Sequence, residues 1–228
     1  MDPKRVVAEG YDRVAERFLI WAARVGGDVR ERYATILADG LSDGAAVLEL
    51  GCGAGVPVAA GLARRFRVTG VDISRRQIEL ARRNVPNATF LHRDMTRLSL
   101  AADSFDAVAA FYALNHVPRD ELGPLFHSIA RWLRPGGRFV ASLPTGSNPG
   151  SVEADWLSVP MFFSGHDRAA SETLILTSGL AIDRVTEETI DEDGRRVTFV
   201  WVVARKPRGG DPVSAPPPTD SRCSRSSR

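Results

Sequence analysis

The order of apolar and polar positions predicts alternating strands and helices through the middle of the chain. Continuous apolar runs are typical of strands covered on both faces, and they predict five parallel strands at 45–50, 66–71, 88–92, 106–111 and 138–143. Helical spacing predicts crossover helices at 56–65, 74–84 and 119–133. Strands that alternate with helices in this way indicate an α/β protein with a parallel sheet.

The two ends of the chain extend this alternation. Apolar residues at helical spacing predict N-terminal helices over 4–24 and 28–38. After a helix predicted at 167–178, two long strands at 181–190 and 196–205 are joined by the short loop 191–194. The fold class predicted is therefore α/β: a Rossmann-like, doubly wound, seven-stranded, mostly parallel sheet with one antiparallel C-terminal strand.

Composition divides the chain into a folded part and a tail. We predict a single domain over 1–206, in which Gly, Ser, Asn and Pro residues interrupt the pattern after Pro144. Residues 207–228 are rich in Pro, Ser and basic side chains and predict a disordered tail.

Charge and cysteine content limit the classes of partner. The tail carries most of the basic excess, because residues 1–204 have a formal charge of −2 against +2 for the whole chain. A nucleic-acid or membrane partner is therefore not indicated, and no apolar run has the length of a membrane span or a signal-peptide core. Cys52 and Cys223 lie far apart and do not suggest a disulfide framework or zinc site. We expect a cytoplasmic monomer or homodimer.

The turn after the first strand carries the clearest chemistry. Glu49 precedes three glycines at every second position, Gly51, Gly53 and Gly55. A residue without Cβ permits positive φ and close approach of a ligand to the main chain. Asp72 ends the next strand, where a carboxylate suits the vicinal hydroxyls of a ribose. The dinucleotide fingerprint would need glycine where Val56 stands, so a nucleoside other than NAD is favoured.

The sequence from Glu49 to Gly55 resembles motif I of the class I S-adenosylmethionine (SAM)-dependent methyltransferases. With later motifs, the resemblance runs from Tyr11 to Arg205 and is nearest to small-molecule enzymes related to the ubiquinone and menaquinone biosynthesis methyltransferases. It implies SAM as methyl donor, S-adenosylhomocysteine (SAH) as product, an N-terminal helical lid over 1–42 and an acceptor-side insertion and helix over 144–178. The cofactor-binding residues that it implies are Tyr11, Glu49, Gly51, Cys52, Gly53, Gly55, Asp72, Ile73, Asp94, Met95 and Phe111.

Candidates for catalysis and acceptor binding follow the later strands. His116 lies after the fourth strand, where open α/β sheets gather ligands, and is the first candidate base; a loop histidine that only positions the chain is the alternative. His166 and Tyr112 are further catalytic candidates. Aromatic and apolar side chains in the insertion are candidate acceptor contacts or a satellite core: Trp156, Met161, Phe162 and Phe163.

Two absent motifs narrow the predicted reaction. The Asn/Asp-Pro-Pro-aromatic motif of enzymes that methylate DNA or glutamine does not follow the fourth strand, and the Asp-Asn pair of Mg²⁺-dependent catechol-type enzymes is also missing. We therefore predict metal-independent methylation of a small hydrophobic or aromatic metabolite, most simply at oxygen, as in secondary metabolism. N- or C-methylation, a protein or peptide substrate, a SAM-binding regulatory module and an NAD-dependent oxidoreductase are the alternatives.

Overall fold

The fold is built on one seven-stranded sheet. A computed structural model describes residues 2–209, and the strand order in the sheet is β3-β2-β1-β4-β5-β9-β8. The strands of this sheet are β1 (Ala46–Leu50), β2 (Arg67–Asp72), β3 (Thr89–His92), β4 (Phe105–Ala110), β5 (Leu133–Pro144), β8 (Ala181–Glu192) and β9 (Arg195–Arg205). The helices are α1 (Pro3–Ala22), α2 (Arg30–Ala38), α3 (Val58–Leu62), α4 (Arg75–Asn84), α5 (Arg119–Trp132) and α6 (Arg168–Thr177).

The pairing directions confirm the predicted sheet. Strands β1 to β5 pair in parallel, whereas β9 runs antiparallel to both β5 and β8. The single reversed strand is therefore β9. The order of the strands changes direction between β1 and β4, and open α/β sheets bind ligands beyond the carboxyl ends of the strands at such a point.

Helices cover both faces of the sheet and form two hydrophobic layers. On one face, α5 and α6 bury Leu125, Ile129 and Ile175 against the apolar side chains of β4, β5 and β9. On the other face, α2, α3 and α4 bury a second cluster that includes Leu37 and Ile78. Burial on both faces explains why the central strands read as continuous apolar runs.

The structure differs from the predicted elements in four places. Strand β5 begins at Leu133 rather than at residue 138. The helix predicted at 56–65 is the five-residue α3, because residues 56–57 and 63–65 form turns around it. The insertion contains an antiparallel pair, β6 (Asn148–Trp156) and β7 (Val159–Gly165), which the sequence did not predict. The β8–β9 turn is shorter than predicted, because Asp191 and Glu192 still pair with β9.

Helix α1 lies across the carboxyl end of the sheet and is attached along its length. Lys4 donates to Asp94 at its start, and Trp21 Nε1 donates to Asp193 near its end. Between them, Asp12 accepts hydrogen bonds from the Ser74 hydroxyl and from the backbone N–H of Arg76. These contacts place α1 as a cover over the edge where ligands bind in this class of sheet.

The predicted tail lies almost wholly beyond the described part of the chain. Residues 210–228, with Cys223, are outside the described residues, so the predicted disorder stays a prediction. Within residues 2–209, no helix is both long enough and apolar enough to cross a membrane.

Candidate active site

Two adjoining cavities lie beneath α1 at the carboxyl end of the sheet. The first cavity is lined by Glu49, Gly53, Asp72, Gln77, Asp94 and Met95, among others. The second cavity is lined by Trp21, Asn115, Trp156, Phe163, Glu192 and Phe199, among others. The wall that both cavities share is formed by Tyr11, Phe18, Ala22, Arg30, Tyr112 and His116.

The three glycines of the turn after β1 have different roles. All three have positive φ, but a Cβ on Gly51 would lie 2.3 Å from the Ala113 Cβ, so Gly51 is needed for protein packing. A Cβ on Gly55 would lie 3.2 Å from the nearest side chains. At Gly53, the nearest atom would be Gln77 Oε1 at 3.8 Å, so the space beside this residue belongs to the first cavity. Gly53 is therefore the glycine that leaves room for a ligand.

Asp72 is a buried carboxylate at the end of β2. Its Oδ2 accepts from the Gly53 N–H at 2.9 Å, and its Oδ1 accepts from the Ser74 N–H at 2.8 Å. Burial raises the pKa of Asp72 to about 6, although these two N–H groups oppose the rise. Each carboxylate oxygen can accept a further hydrogen bond, so the group is suited to two hydroxyl donors.

Glu49 lies in the same cavity with an incomplete set of hydrogen bonds. Its Oε2 is buried and has no hydrogen-bond partner among the described residues. Burial raises the pKa of Glu49 to about 8, and Arg30 opposes the rise. A buried acceptor without a partner at a cavity wall indicates a position for a ligand's donor.

Replacing Glu49 by glutamine should flatten the dependence of stability on pH. The native pKa of about 8 lies above the ordinary value of 4.5, so the folded state binds more protons than the unfolded state in this window. The free energy of unfolding should therefore fall as pH rises from 4.5 to 8, by at most about 5 kcal/mol for this group. Urea denaturation of wild type and Glu49→Gln at pH 5 and pH 9 measures the difference, and equal losses in both proteins would contradict it.

The segment after β3 lines the other side of the first cavity. Asp94 Oδ2 accepts from Lys4 Nζ at 2.8 Å, and Asp94 Oδ1 accepts from the backbone and hydroxyl of Thr96. Met95 and Ile73 supply apolar wall nearby. Ile73, Asp94 and Met95, which the resemblance implies as cofactor-binding residues, therefore line one cavity, and the Asp94 carboxylate is already paired with Lys4 of α1.

Tyr11 and His116 form a hydrogen-bonded pair in the shared wall. His116 is 8% exposed, and its Nδ1 lies 2.8 Å from the carbonyl oxygen of Phe162. Because a carbonyl only accepts, Nδ1 carries the proton and Nε2 holds the lone pair. Tyr11 donates its hydroxyl proton to this Nε2 at 2.9 Å. Burial lowers the pKa of His116 to about 4, so the imidazole is neutral at pH 7.

The remaining predicted residues divide between the cavities and the core. Phe111 and Cys52 line the first cavity, and Tyr112 lies in the shared wall with its hydroxyl unpartnered within the described chain. Trp156 and Phe163 line the second cavity. Four predicted residues line neither cavity. Gly55 lies beside Val85 and Phe90, the His166 ring hydrogen-bonds the Arg119 carbonyl oxygen, and Met161 and Phe162 pack against α1.

Lys4, Arg30 and Gln77 are among the cavity residues that were not predicted from the sequence. Lys4 and Arg30 come from the N-terminal helices, and Gln77 comes from the first turn of α4. Arg30 pairs with Asp28 at 2.6 Å and lies in the wall between the cavities. For Gln77 a sequence signal existed, because Ser74 and Gln77 have the spacing of a helix capping box.

The chain is similar to known methyltransferases. Residues 47–137 match the model of a methyltransferase domain family. Methyltransferase GfsG of Streptomyces halstedii is 41% identical over 109 residues, which cover 44% of this chain and 38% of that protein. A demethylmenaquinone methyltransferase of Clavibacter sepedonicus is 34% identical over 137 residues, covering 59% of this chain and 53% of the relative. Residues 47–137 therefore resemble a methyltransferase domain, and these matches support a class I SAM-dependent methyltransferase.

The sequence matches cover only part of each relative, whereas the fold match covers most of the chain. The chain spans about half, or less, of the length of these two curated relatives. A solved structure with the same fold is the 1,6-didemethyltoxoflavin-N1-methyltransferase of Burkholderia thailandensis, which contains bound 1,6-didemethyltoxoflavin and SAH. It has a TM-score of 0.68 at 21% identity and covers 89% of this chain and 88% of that one. The methyltransferase fold thus extends over nearly all of the described residues.

The first cavity of this methyltransferase fits the SAM donor. The absence of a Cβ on Gly53 leaves space beside the main chain for a ligand, and Asp72 can accept two hydroxyl donors. The Glu49 carboxyl has a buried oxygen without a partner among the described residues, and a cationic or N–H group of a ligand would favour its ionised, accepting form. The residues placed to hold SAM are therefore those of the turn after β1, the end of β2 and the segment after β3.

The described residues were also compared with the arrangements that hold metal ions. Across residues 2–209, no group of three or more His, Cys, Asp or Glu side chains has the arrangement to hold a metal ion. The expected metal independence stays a prediction.

Proposed function

We propose that this methyltransferase transfers the methyl group of SAM to a hydroxyl of a small, apolar or ring-containing metabolite, without a metal ion. The observation that carries the proposal is the wall between the two cavities. A donor in the first cavity and an acceptor in the second would meet where Tyr11 and His116 lie. Holding two reactants at such a boundary supplies much of the catalysis for an in-line displacement.

The second cavity supports an apolar acceptor with a flat ring. Trp21, Trp156 and Phe18 pack on one another with ring centroids 5.7–6.2 Å apart. Phe163 adds a further ring, 6.1 Å from Trp156. Aromatic side chains in a cavity wall favour ring-containing ligands. Polar and charged residues such as Asp28, Asn115 and Glu192 also line this cavity and can bind the polar groups of such a ligand.

The Tyr11–His116 pair supplies a route for the acceptor's proton. When bound, SAM supplies a methyl group on a positively charged sulfur, which makes the methyl electrophilic. A hydroxyl oxygen becomes strongly acidic as it attacks a methyl group, so the weak base His116 suffices. The acceptor O–H gives its proton to the Tyr11 oxygen while Tyr11 passes its own proton to His116 Nε2, so Tyr11 remains a phenol. The His116 imidazolium then releases that proton to solvent, which restores the neutral pair.

We also propose that two segments of the chain have separate roles, one as a lid and one on the acceptor side. Residues 1–42 act as the lid, since α1 and Arg30 contribute to both cavities. Residues 144–178 form the acceptor side, since β6 and β7 supply Trp156 and Phe163. A cytoplasmic location and a monomeric or homodimeric state rest on the sequence composition alone.

Transfer of a labelled methyl group tests the proposal. Purified protein is incubated with SAM carrying a trideuterated methyl group and a small-molecule extract of its host, and the products are analysed by mass spectrometry. We expect label in one apolar metabolite, with an equivalent amount of SAH. Label found only in protein, or SAH binding without any transfer, would contradict the proposal and favour a protein substrate or a regulatory module.

A further inference from the structure

Gln77 occupies the position of a helix cap but does not act as one. Ser74 is the N-cap of α4, and its hydroxyl accepts from the Gln77 N–H at 3.1 Å. In a complete capping box the side chain three residues later bonds back to the N-cap N–H. Here the Ser74 N–H donates instead to Asp72 Oδ1 at 2.8 Å. Asp72 has therefore taken the bond that the Gln77 amide would otherwise make.

The displaced amide is buried beside the first cavity. Gln77 is 1% exposed, and neither its Oε1 nor its Nε2 has a hydrogen-bond partner within the described chain. Its Oε1 is the atom nearest to a Cβ built on Gly53. A buried amide with both ends unpaired lowers the stability of the ligand-free protein, so its position beside a cavity points to a ligand.

We propose that Gln77 recognises the ribose of the donor nucleoside together with Asp72. This inference rests on the proposed function, because it takes SAM as the ligand of the first cavity. Each ribose hydroxyl is both a donor and an acceptor, whereas an ionised carboxylate only accepts. The hydroxyls that donate to Asp72 are left with lone pairs, and Gln77 Nε2 donates to one of them. The Gln77 carbonyl oxygen stands beside Gly53 as a second acceptor.

This assignment predicts opposite effects on binding and on stability. Gln77→Met and Gln77→Leu keep the approximate size of the side chain but make it apolar, so both unpaired polar atoms are removed. The melting temperature of the ligand-free protein should therefore stay equal or rise. Binding of SAH should weaken by about 5- to 30-fold, because a ribose hydrogen bond is lost.

Calorimetry with two probes tests the assignment. SAH and 5′-methylthioadenosine share the ribose, but only SAH has the amino-acid part, so both should lose affinity by the same factor in Gln77→Met and Gln77→Leu. The control is Arg75→Met on the same helix turn, whose exposed side chain pairs with Glu79 and should leave both affinities unchanged. Unchanged affinities in the Gln77 variants, a loss confined to SAH, or a lower melting temperature in both variants would overturn the inference. If wild type binds neither probe, the proposed function itself fails.

Discussion

Replacing Asp72 by alanine should weaken the binding of SAH by at least about 100-fold. The carboxylate is placed to accept two ribose hydroxyls, and hydrogen bonds to a charged group contribute about 1.5–3 kcal/mol each. The substitution also leaves the N–H groups of Gly53 and Ser74 without their acceptor, so the turn that holds the cofactor loses its anchor. Calorimetric titration with SAH measures the effect.

A conservative variant and a pH series separate recognition from folding. Asp72→Asn retains one acceptor oxygen, so it should lose less affinity than Asp72→Ala. In wild type, affinity should rise between pH 5 and 7, because hydroxyl donors favour the ionised form of a group whose pKa is about 6. This rise should be absent in Asp72→Asn. Glu79→Gln, in an exposed ion pair of the same helix, is the control. Unchanged SAH affinity in Asp72→Ala would remove Asp72 from the donor site.

Removing either member of the Tyr11–His116 pair should lower turnover by about 100-fold or more. Tyr11→Phe and His116→Gln each interrupt the proton route, so the double variant should be no slower than the slower single one. Residues that act as one unit show this non-additivity. The measurement is kcat at saturating concentrations of SAM and of the acceptor identified by the methyl-transfer experiment.

Binding and pH dependence distinguish this route from a packing role. SAH affinity should change little in His116→Gln, because that substitution leaves the Gly53 and Asp72 side of the cavity intact. Since the pKa of His116 is about 4, its protonation should not reduce the rate between pH 6 and 8. Fully additive losses in the double variant, or a normal kcat in His116→Gln, would contradict the route.

Most of the fold could be predicted because its signals are local. The apolar runs of β1, β2 and β4 and the periodicity of α4 and α5 directly encode burial on two faces of a sheet. The β6–β7 pair could not be predicted in this way. Strand β6 is exposed along nearly its whole length, so it lacks apolar alternation, and its pairing is interrupted by register shifts.

Some residues of the two cavities could be predicted from the sequence because of their residue type and their position after a strand. Gly53, Asp72 and His116 fall at the ends of strands, where the sheet gathers ligands. The hydrogen bonding at the start of α4 could not be predicted. The spacing of Ser74 and Gln77 predicts a capping box, but in the structure Asp72, not the Gln77 side chain, accepts from the Ser74 N–H. Lys4 reaches Asp94 from a position 90 residues away, a contact that no local pattern encodes.

Calorimetric titration of the wild-type protein with SAH and with NAD⁺ tests the central claim most directly. The account predicts one SAH bound per chain, no displacement of SAH by NAD⁺, and loss of SAH binding in Gly53→Val. That substitution places a branched side chain in the cradle at a residue with φ of +52°. Binding of NAD⁺ in preference to SAH, or SAH binding that Gly53→Val leaves intact, would contradict the placement of a SAM site at this turn.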